Sequence, residues 1–563
     1  MRCLLPFIPF LSLCLVSTKG NGDLDPVMPF MVHLDPDSLV SLKWGFDNVQ
    51  GIMTFQLAVN TTGWVGIGFS PNGGMKGSDL VIGGYGTDGS YFADYHATGN
   101  SRPLVDEQQS YTLLSTSETD GQTVLTFQRP LRTCDDQDVE ITAQPVKLIY
   151  AYGTTDDISY HGARRGTREI NLLNYTPRTA SSSSNYLDVT VNITVPPVQT
   201  YYHCKVMSFS NLITKLHIYE VEPMIENRDL VHHMLLHRCP LFVREEYDGP
   251  CFQGDMGDRC FGVVAAWAVG GEATTLPESA GIPIGGGEGS TFYRLEIHYN
   301  NPNSVKGRRD TSGLRLHYTT NLRQHDVGIL TAGVLEVGHL KYNIPPNAEE
   351  FHTYGVCNTT VISQLVNPMP DLQMFAVILH THLTGRKVRV GQYRDGKQID
   401  FLGLDENYDF DLQQVTHLGK VKTVKQGDDI VVECTYSTVN RTAVTRMGLA
   451  TTDEMCLAFL FYYPATKISQ CISHPNTTQL RNSNYQMSES EIVQYEGLLK
   501  TLPQLQIVSD ENARFAVYQE GVVRKMMETP NATCQRNASQ GLCTSWFFNP
   551  AGMIFLLLCI LIE

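Results

Sequence analysis

"IMTFQLAVN" (Ile52–Asn60) is followed, after two threonines, by "GWVGIGFS" (Gly63–Ser70). Each is a short run rich in β-branched and aromatic residues and bounded by Asn or Gly, the composition of a strand with its turn. The pattern continues through "DLVIGGYG", "SYFADYHA", "TVLTFQRPL" and "VKLIYAYG". From Leu34 to about Gly153 the chain therefore predicts a β-sandwich. The Gly-rich "GGYGTDGS" (Gly83–Ser90) has no lysine and no following helix, so it reads as a hairpin turn and not as a phosphate loop.

Beyond this domain, residues 154–195 shift toward Arg, Ser and Thr, with "RTASSSSN" (Arg178–Asn185) the clearest low-complexity stretch, and read as a linker. Strand-like runs then return. "IPP" (Ile344–Pro346) marks a seam between 196–345 and 346–515, with a tail over 516–545. Only "ESEIVQYEGLLKTL" (Glu489–Leu502) spaces its apolar residues as a helix does, at Ile492, Tyr495, Leu498 and Leu499. The expectation is an all-β chain.

At 563 residues the chain is long enough for about three domains. Hydrophobic residues make up 42% and charged residues 18%, a globular balance, and Tyr 26 with Phe 23 favour strands. A formal net charge of -16 with no basic run excludes nucleic acid as an expected partner.

Met1-Arg2, an apolar stretch from Leu4 to Val16 and the small, polar "STKG" have the order of a secretory signal peptide over residues 1–20. Asn-x-Ser/Thr sequons at Asn60, Asn174, Asn192, Asn358, Asn440, Asn476, Asn531 and Asn537 agree with entry into the secretory pathway. Of the 14 cysteines, Cys3 and Cys14 lie in the leader and Cys559 in the apolar tail; most of the others should be paired in an oxidising compartment. Residues 546–563 end in an unbroken apolar run, Met553 to Ile562. It is short for a spanning helix and reads as a membrane-anchoring segment, either a short anchor or a tail exchanged for a lipid. The expected location is a membrane of the endoplasmic reticulum, a secretory vesicle or the cell surface, with the bulk of the chain lumenal or extracellular.

Four short motifs carry the chemistry. In "LHTHLTGRKV" (Leu379–Val388), His380 and His382 are two apart and can face one ion from a strand, although H-x-H alone is common in ordinary strands. In "LVHHMLLHRC", His232 and His233 are adjacent, so sharing an ion requires a bulge or a strand end. His298 ends the β-like run "RLEIHYNNP", while His237 and His339 read as packing or surface residues. In "TTDEMCLAFLFYYP", Met455 offers a thioether; most methionines are core filler, but imidazoles with one thioether suit copper cycling between Cu(I) and Cu(II). No H-E-x-x-H or G-x-S-x-G motif is present, which disfavours a hydrolase.

These motifs, in this order and at these separations, resemble the copper type II, ascorbate-dependent monooxygenases, the family of dopamine β-hydroxylase and peptidylglycine α-hydroxylating monooxygenase, and in particular their DBH-like branch. The N-terminal sandwich resembles the DOMON domain that precedes the copper core in the dopamine β-hydroxylase group. The resemblance implies a DOMON β-sandwich followed by two jelly-roll-like β-sandwich copper domains. It implies an electron-transfer copper on His232, His233 and His298, and an oxygen-activating copper on His380, His382 and Met455. Ascorbate would supply the electrons and O2 would be the co-substrate. Tyr202, in "TYYHC", and His380 fall at positions the family treats as active. The implied disulfides are Cys204–Cys251, Cys239–Cys260, Cys357–Cys471 and Cys434–Cys456, with Cys134 reaching Cys534 or Cys543.

The implied reaction is hydroxylation of an activated C–H of a small substrate, with phenolic amines the family-level expectation. An amine wants a buried carboxylate, yet in "DVGILTAGVLE" (Asp326–Glu336) Thr331 stands where the resemblance implies an acid. Asp79 with Leu80 matches a metal site proposed for DOMON domains, but Ser110 stands where another acid would be expected, so whether this domain binds a metal or ligand is left open. The rival reading is a catalytically silent copper- or ligand-binding cell-surface glycoprotein. A homo-oligomer is left open.

Overall fold

The computed structural model describes residues 28–519 and 523, apart from 48–49, 143, 174, 176–184, 210, 254–259, 287–291, 335–341 and 478–486. The expected leader, the segment 546–563, Asn174, Asn531, Asn537 and His339 lie outside the described residues. Among the described residues no helix is long and apolar enough to cross a membrane.

Strict alternation in "IMTFQLAV" buries every second side chain of the strand Ile52–Val59. That strand sits mid-sheet, ordered Phe30–His33, Val40–Asp47, Ile52–Val59, Gln122–Pro130, Thr112–Thr119. A second sheet runs Arg165–Ile170, Val146–Tyr152, Val65–Ser70, Asp79–Gly86, Gly89–His96, Leu104–Val105. Trp44, Phe55, Phe69 and Phe127 pack in the core of the resulting sandwich. The expected hairpin is present, with Gly86 paired to Gly89 around Thr87-Asp88.

The stretch expected as a linker, 154–195, is only partly one. Arg165–Ile170 completes the second sheet of the first domain, and Tyr186–Thr190 pairs with Gly313–Thr319 in the next domain. Both are edge strands with exposed polar side chains, which is why their composition resembled a connection.

The next sandwich sets a sheet ordered Tyr247–Pro250, Thr200–Ser208, Phe292–Asn300, Val231–Arg238, Gly262–Ala268 against one built around Leu216–Met224 and Gly313–Thr319. The last pairs a seven-stranded sheet, Thr416–Val424, Leu372–His380, Cys456–Tyr463, Gly328–Val334, Ile468–Pro475, Gln504–Asp510, Phe515–Gln519, with a four-stranded sheet. The expected seam at Ile344–Pro346 is thus misplaced: Gly328–Val334 already lies at the centre of the seven-stranded sheet, and Asn343–Ile344 pairs with Thr445–Arg446 inside the same domain. This domain also continues past the expected end at 515, through Phe515–Gln519.

The seven-stranded sheet is covered on both faces, which explains apolar runs without alternation such as "MFAVIL" and "LAFLFYY". Val377, Leu379, Ala458 and Leu460 belong to the core under the four-stranded sheet, whereas Ile378, Leu457, Phe459 and Met455 join the core of the preceding sandwich. The helix Glu489–Thr501 matches its expected span, opened by a capping box between Ser488 and Glu491 and buried through Ile492 and Leu499. The four expected disulfides are formed, and Cys134 is also disulfide-bonded. Of the described sequon asparagines, Asn60, Asn192 and Asn440 are exposed; Asn476 and Asn358 are half-buried, with Asn358 Nδ2 donating to Asp429 Oδ1 at 2.8 Å.

Candidate metal centre

Val231 pairs with Tyr299, yet His233 pairs with His298, so one residue is extra between them. This bulge at His232 is what lets adjacent histidines share a face. From His233 onward alternation resumes: Met234 and Leu236 enter the core, while His233, Leu235 and His237 line a cavity on the other side. The neighbouring strand presents Arg294 and Glu296 to that cavity and carries His298 at the next position of the same face. The imidazoles of His232, His233 and His298 bring one nitrogen each within 4.8 Å of one another.

Opposite lies the seven-stranded sheet. Parity sends Leu379 into one core and His380 toward the cavity, with His382 two residues further on. His380 pairs with Leu457, and Met455 lies just before that strand and lines the same cavity. The Cys434–Cys456 disulfide anchors the residue after Met455, and the carbonyl of Met455 accepts from the Tyr436 hydroxyl at 2.7 Å. The buried Glu454 carboxylate accepts from His382 N at 2.8 Å, Thr384 N at 2.6 Å and Thr384 Oγ1 at 2.6 Å, so it fastens the His382 turn to the Met455 segment.

The hydrogen bonds fix which nitrogens are available. His232 Nε2 donates to Phe410 O at 3.0 Å, leaving Nδ1, which lies 3.4 Å from His233 Nδ1. His298 Nε2 is 3.1 Å from Thr451 Oγ1, and its Nδ1 is buried with no partner among the described residues. His380 Nδ1 donates to Gln413 Oε1 at 2.7 Å and His382 Nδ1 to Asp453 O at 3.1 Å; both Nε2 atoms are buried without partners. Burial, together with repulsion between neighbouring imidazoles, pushes His232 down to about 3 and His233, His298 and His382 well below the usual histidine range; burial also lowers His380. Neutral rings with converging lone pairs and fixed second nitrogens are the donor set a redox metal requires. The residues present therefore fit copper, with imidazoles for both oxidation states and a thioether for the reduced one.

Tyr202 stacks on His298, with centroids 4.4 Å apart and planes 3° from parallel, and meets Phe252 edge-on. Its hydroxyl is buried without a partner among the described residues, and burial holds the phenol well above its usual range. It supports the His298 ring and lines the cavity. His237, expected as a packing or surface residue, is buried against the same cavity with its Nε2 3.8 Å from Glu296.

The cavity, of about 140 Å³, is walled mainly by Leu235, Phe252, Trp267, Ile378, Leu449 and Phe459. Arg294 donates to Glu296 at 2.9 Å inside it, and the buried Thr331 hydroxyl has no partner among the described residues. Sequence reasoning missed Phe410, Gln413 and Thr451, which are distant in the chain. It also missed Glu454, although an acid beside Met455 was a visible signal.

Three family profiles match the chain: the DOMON domain over residues 36–153, and the N- and C-terminal domains of the copper type II ascorbate-dependent monooxygenases over 187–306 and 330–484. Mouse (Mus musculus) DBH-like monooxygenase protein 2 is 38% identical over 495 residues, covering 86% of this chain and 80% of its own. Chicken (Gallus gallus) DBH-like monooxygenase protein 1 is 37% identical over 464 residues, covering 80% and 75%. Rat (Rattus norvegicus) dopamine beta-hydroxylase is 34% identical over 485 residues, covering 82% and 77%. With its histidine groups on two adjoining sandwiches behind a DOMON domain, the chain belongs to the copper type II ascorbate-dependent monooxygenase family.

Proposed function

We propose that this chain uses two coppers, ascorbate and O2 to hydroxylate an activated C–H bond of a small substrate. His232, His233 and His298 would hold one copper, and His380, His382 and Met455 the other. The observation that carries this reading is the meeting of His233 with His380 and Met455 at one cavity, with Nδ1 of His298 and Nε2 of His380 and His382 buried without partners among the described residues. When bound, copper supplies one-electron storage and activation of dioxygen. The chain's own residues fix the imidazole tautomers through Phe410, Gln413 and Asp453 and exclude water with the aromatic and aliphatic walls. A lumenal or extracellular location, with a membrane attachment through 546–563, fits the disulfides.

An aromatic substrate suits a cavity walled by Phe252, Trp267 and Phe459, and phenolic amines are the family's default class. A specific observation favours a second reading, in which the substrate carries no ammonium. Among the described lining residues Glu296 is the only carboxylate, and Arg294 already neutralises it. An ammonium would have to displace a buried guanidinium and would gain little.

The test is oxygen uptake by the copper-loaded protein with ascorbate and paired substrates, phenylethylamines beside the corresponding phenyl alcohols, with His380→Ala as control. Substrate-dependent uptake abolished in the control supports the monooxygenase, and the better member of each pair decides between the readings. Two bound coppers with no uptake above the control would favour a silent copper- or ligand-binding surface protein.

A further inference from the structure

We infer that the first domain is part of the support of the metal centre, and that Lys147 is a positioning residue acting on His232 and His380 together. This rests on the proposed role of those histidines. The link is the stretch 405–414, which starts at the last residue of the strand Lys397–Asp405 and leads toward the strand Thr416–Val424.

On its inner side this connection meets both histidine groups. The Phe410 ring stacks on His232 with centroids 3.8 Å apart, and its carbonyl accepts from His232 Nε2. Gln413 accepts from His380 Nδ1 and donates from its own Nε2 to Phe410 O at 2.8 Å, so the two supports are tied to each other. Tyr408 Oη accepts from Thr381 N at 2.9 Å and donates to Thr381 O at 2.8 Å, gripping the residue between His380 and His382.

On its outer side the same ten residues are held by the first domain. Lys147 Nζ donates to Asn407 O, Gln144 Oε1 accepts from Glu406 N at 3.2 Å, and Gln414 Nε2 donates to Glu169 O at 3.2 Å. The copper-type domains contribute two backbone bonds of their own, Tyr408 N to Arg386 O and Gln413 N to Val269 O, and a two-pronged ion pair in which Arg389 donates to the Glu406 carboxylate at 2.6 and 2.8 Å. The charged groups of the outer seam are buried. Lys147 is 4% exposed and stands near Glu169 and Asp405, each 8% exposed, whose carboxyls burial pushes up and Lys147 partly restores. Without Lys147 two buried acids face each other with no cation, and the connection they flank has to shift or let in water. A shift of Asn407 passes directly to Tyr408, Phe410 and Gln413, because supports outside the ligand set govern ligand orientation.

The test uses the full copper-loaded chain carrying Lys147→Met, Gln413→Ala or both, read by Cu(II) electron paramagnetic resonance and by the copper dissociation constant. Lys147→Met is expected to move the copper spectrum in the same direction as Gln413→Ala and to weaken copper binding roughly 10–100-fold. The double variant should bind copper within about 2-fold of the weaker single variant, because both changes act through one connection. Lys147→Arg should restore the spectrum. An unchanged spectrum and affinity in folded Lys147→Met, or fully additive effects, would overturn the inference. If Lys147→Met does not fold, the pair Gln144→Ala with Gln414→Ala removes the flanking bonds without stranding a charge and is read in the same way. These readouts do not need turnover, so absence of oxygen uptake would count against the proposed reaction and leave this inference standing.

Discussion

The imidazoles of His233 and His380 lie 5.1 Å apart, centroid to centroid, with their planes 86° from each other. One comes from the sheet of the first copper-type sandwich, the other from the seven-stranded sheet of the second. His298 and His382 approach to 6.4 Å in the same way. The two candidate ligand groups therefore adjoin, and a charge placed in either is felt by the other across a few ångströms.

This proximity sets an order of metal binding. Repulsion between two ions scales with the product of their charges, fourfold larger for a pair of dications than for a pair of monocations. Competitive titration of the metal-free protein should thus give two unequal copper affinities, with a wider gap for Cu(II) than for Cu(I). Equal affinities for two Cu(II) ions would contradict coupling across this short separation.

Met455 is placed by its neighbours, with Glu454 holding the His382 turn on one side and the Cys434–Cys456 disulfide on the other. Met455→Ala removes the thioether and leaves all five imidazoles. It should lower turnover roughly 100-fold, the upper end of the scale for changes around a metal's ligands, while His232, His233 and His298 retain copper binding. Metal analysis beside turnover checks this, and equal loss of copper from both groups would sink it.

Glu454 is the buried acceptor for three donors. Glu454→Gln keeps the shape but turns an NH2 group toward donors that need an acceptor, which costs about 1–3 kcal/mol for each buried group left unsatisfied. A lower thermal midpoint with weakened copper binding at His380 and His382 is the expected outcome. An unchanged midpoint would show that the turn is held by other means.

The strands were legible wherever a sheet has one wet face, as in Ile52–Val59, and the helix was legible from its 3-4 spacing. The histidine clusters were legible, since strand parity puts His380 and His382 on one side and His232-His233 demanded the bulge that the structure contains, while the ligand set itself came from the family resemblance. The supports were not legible. Phe410 lies 178 residues from His232, Thr451 153 from His298 and Gln413 33 from His380, and no local pattern marks a loop residue that tertiary folding brings to a ring nitrogen. The edge strands Arg165–Ile170 and Tyr186–Thr190 were read as linker for a related reason: a strand that buries little carries little apolar signal.

The first domain has its own pH signature in Asp94. Burial pushes its carboxyl up to about 8; the bond from Ser110 N lowers it in part, and Asp79, Asp138 and Asp106 raise it further. Its Oδ1 is buried without a partner among the described residues. A folded-state pKa above the ordinary 3.8 means that between about pH 4 and pH 8 the folded chain holds a proton that the unfolded chain has released. Stability from this group is therefore fully present below pH 4 and is lost as pH rises toward 8, by at most about 1.4 kcal/mol per pH unit. Asp94→Asn keeps an acceptor for Ser110 N and does not titrate, so its advantage over the wild type should grow across that window. Urea unfolding followed by tryptophan fluorescence, with Trp44 and Trp64 in this domain, measures the difference. The titration should be run with chelator present, because Asp79, Asp94 and Asp138 bring oxygens within 4.8 Å of one another and a dication there would lower the Asp94 carboxyl. A flat difference between pH 5 and pH 8 would mean that Asp94 is ionised in the folded chain and that its charge is balanced by a partner.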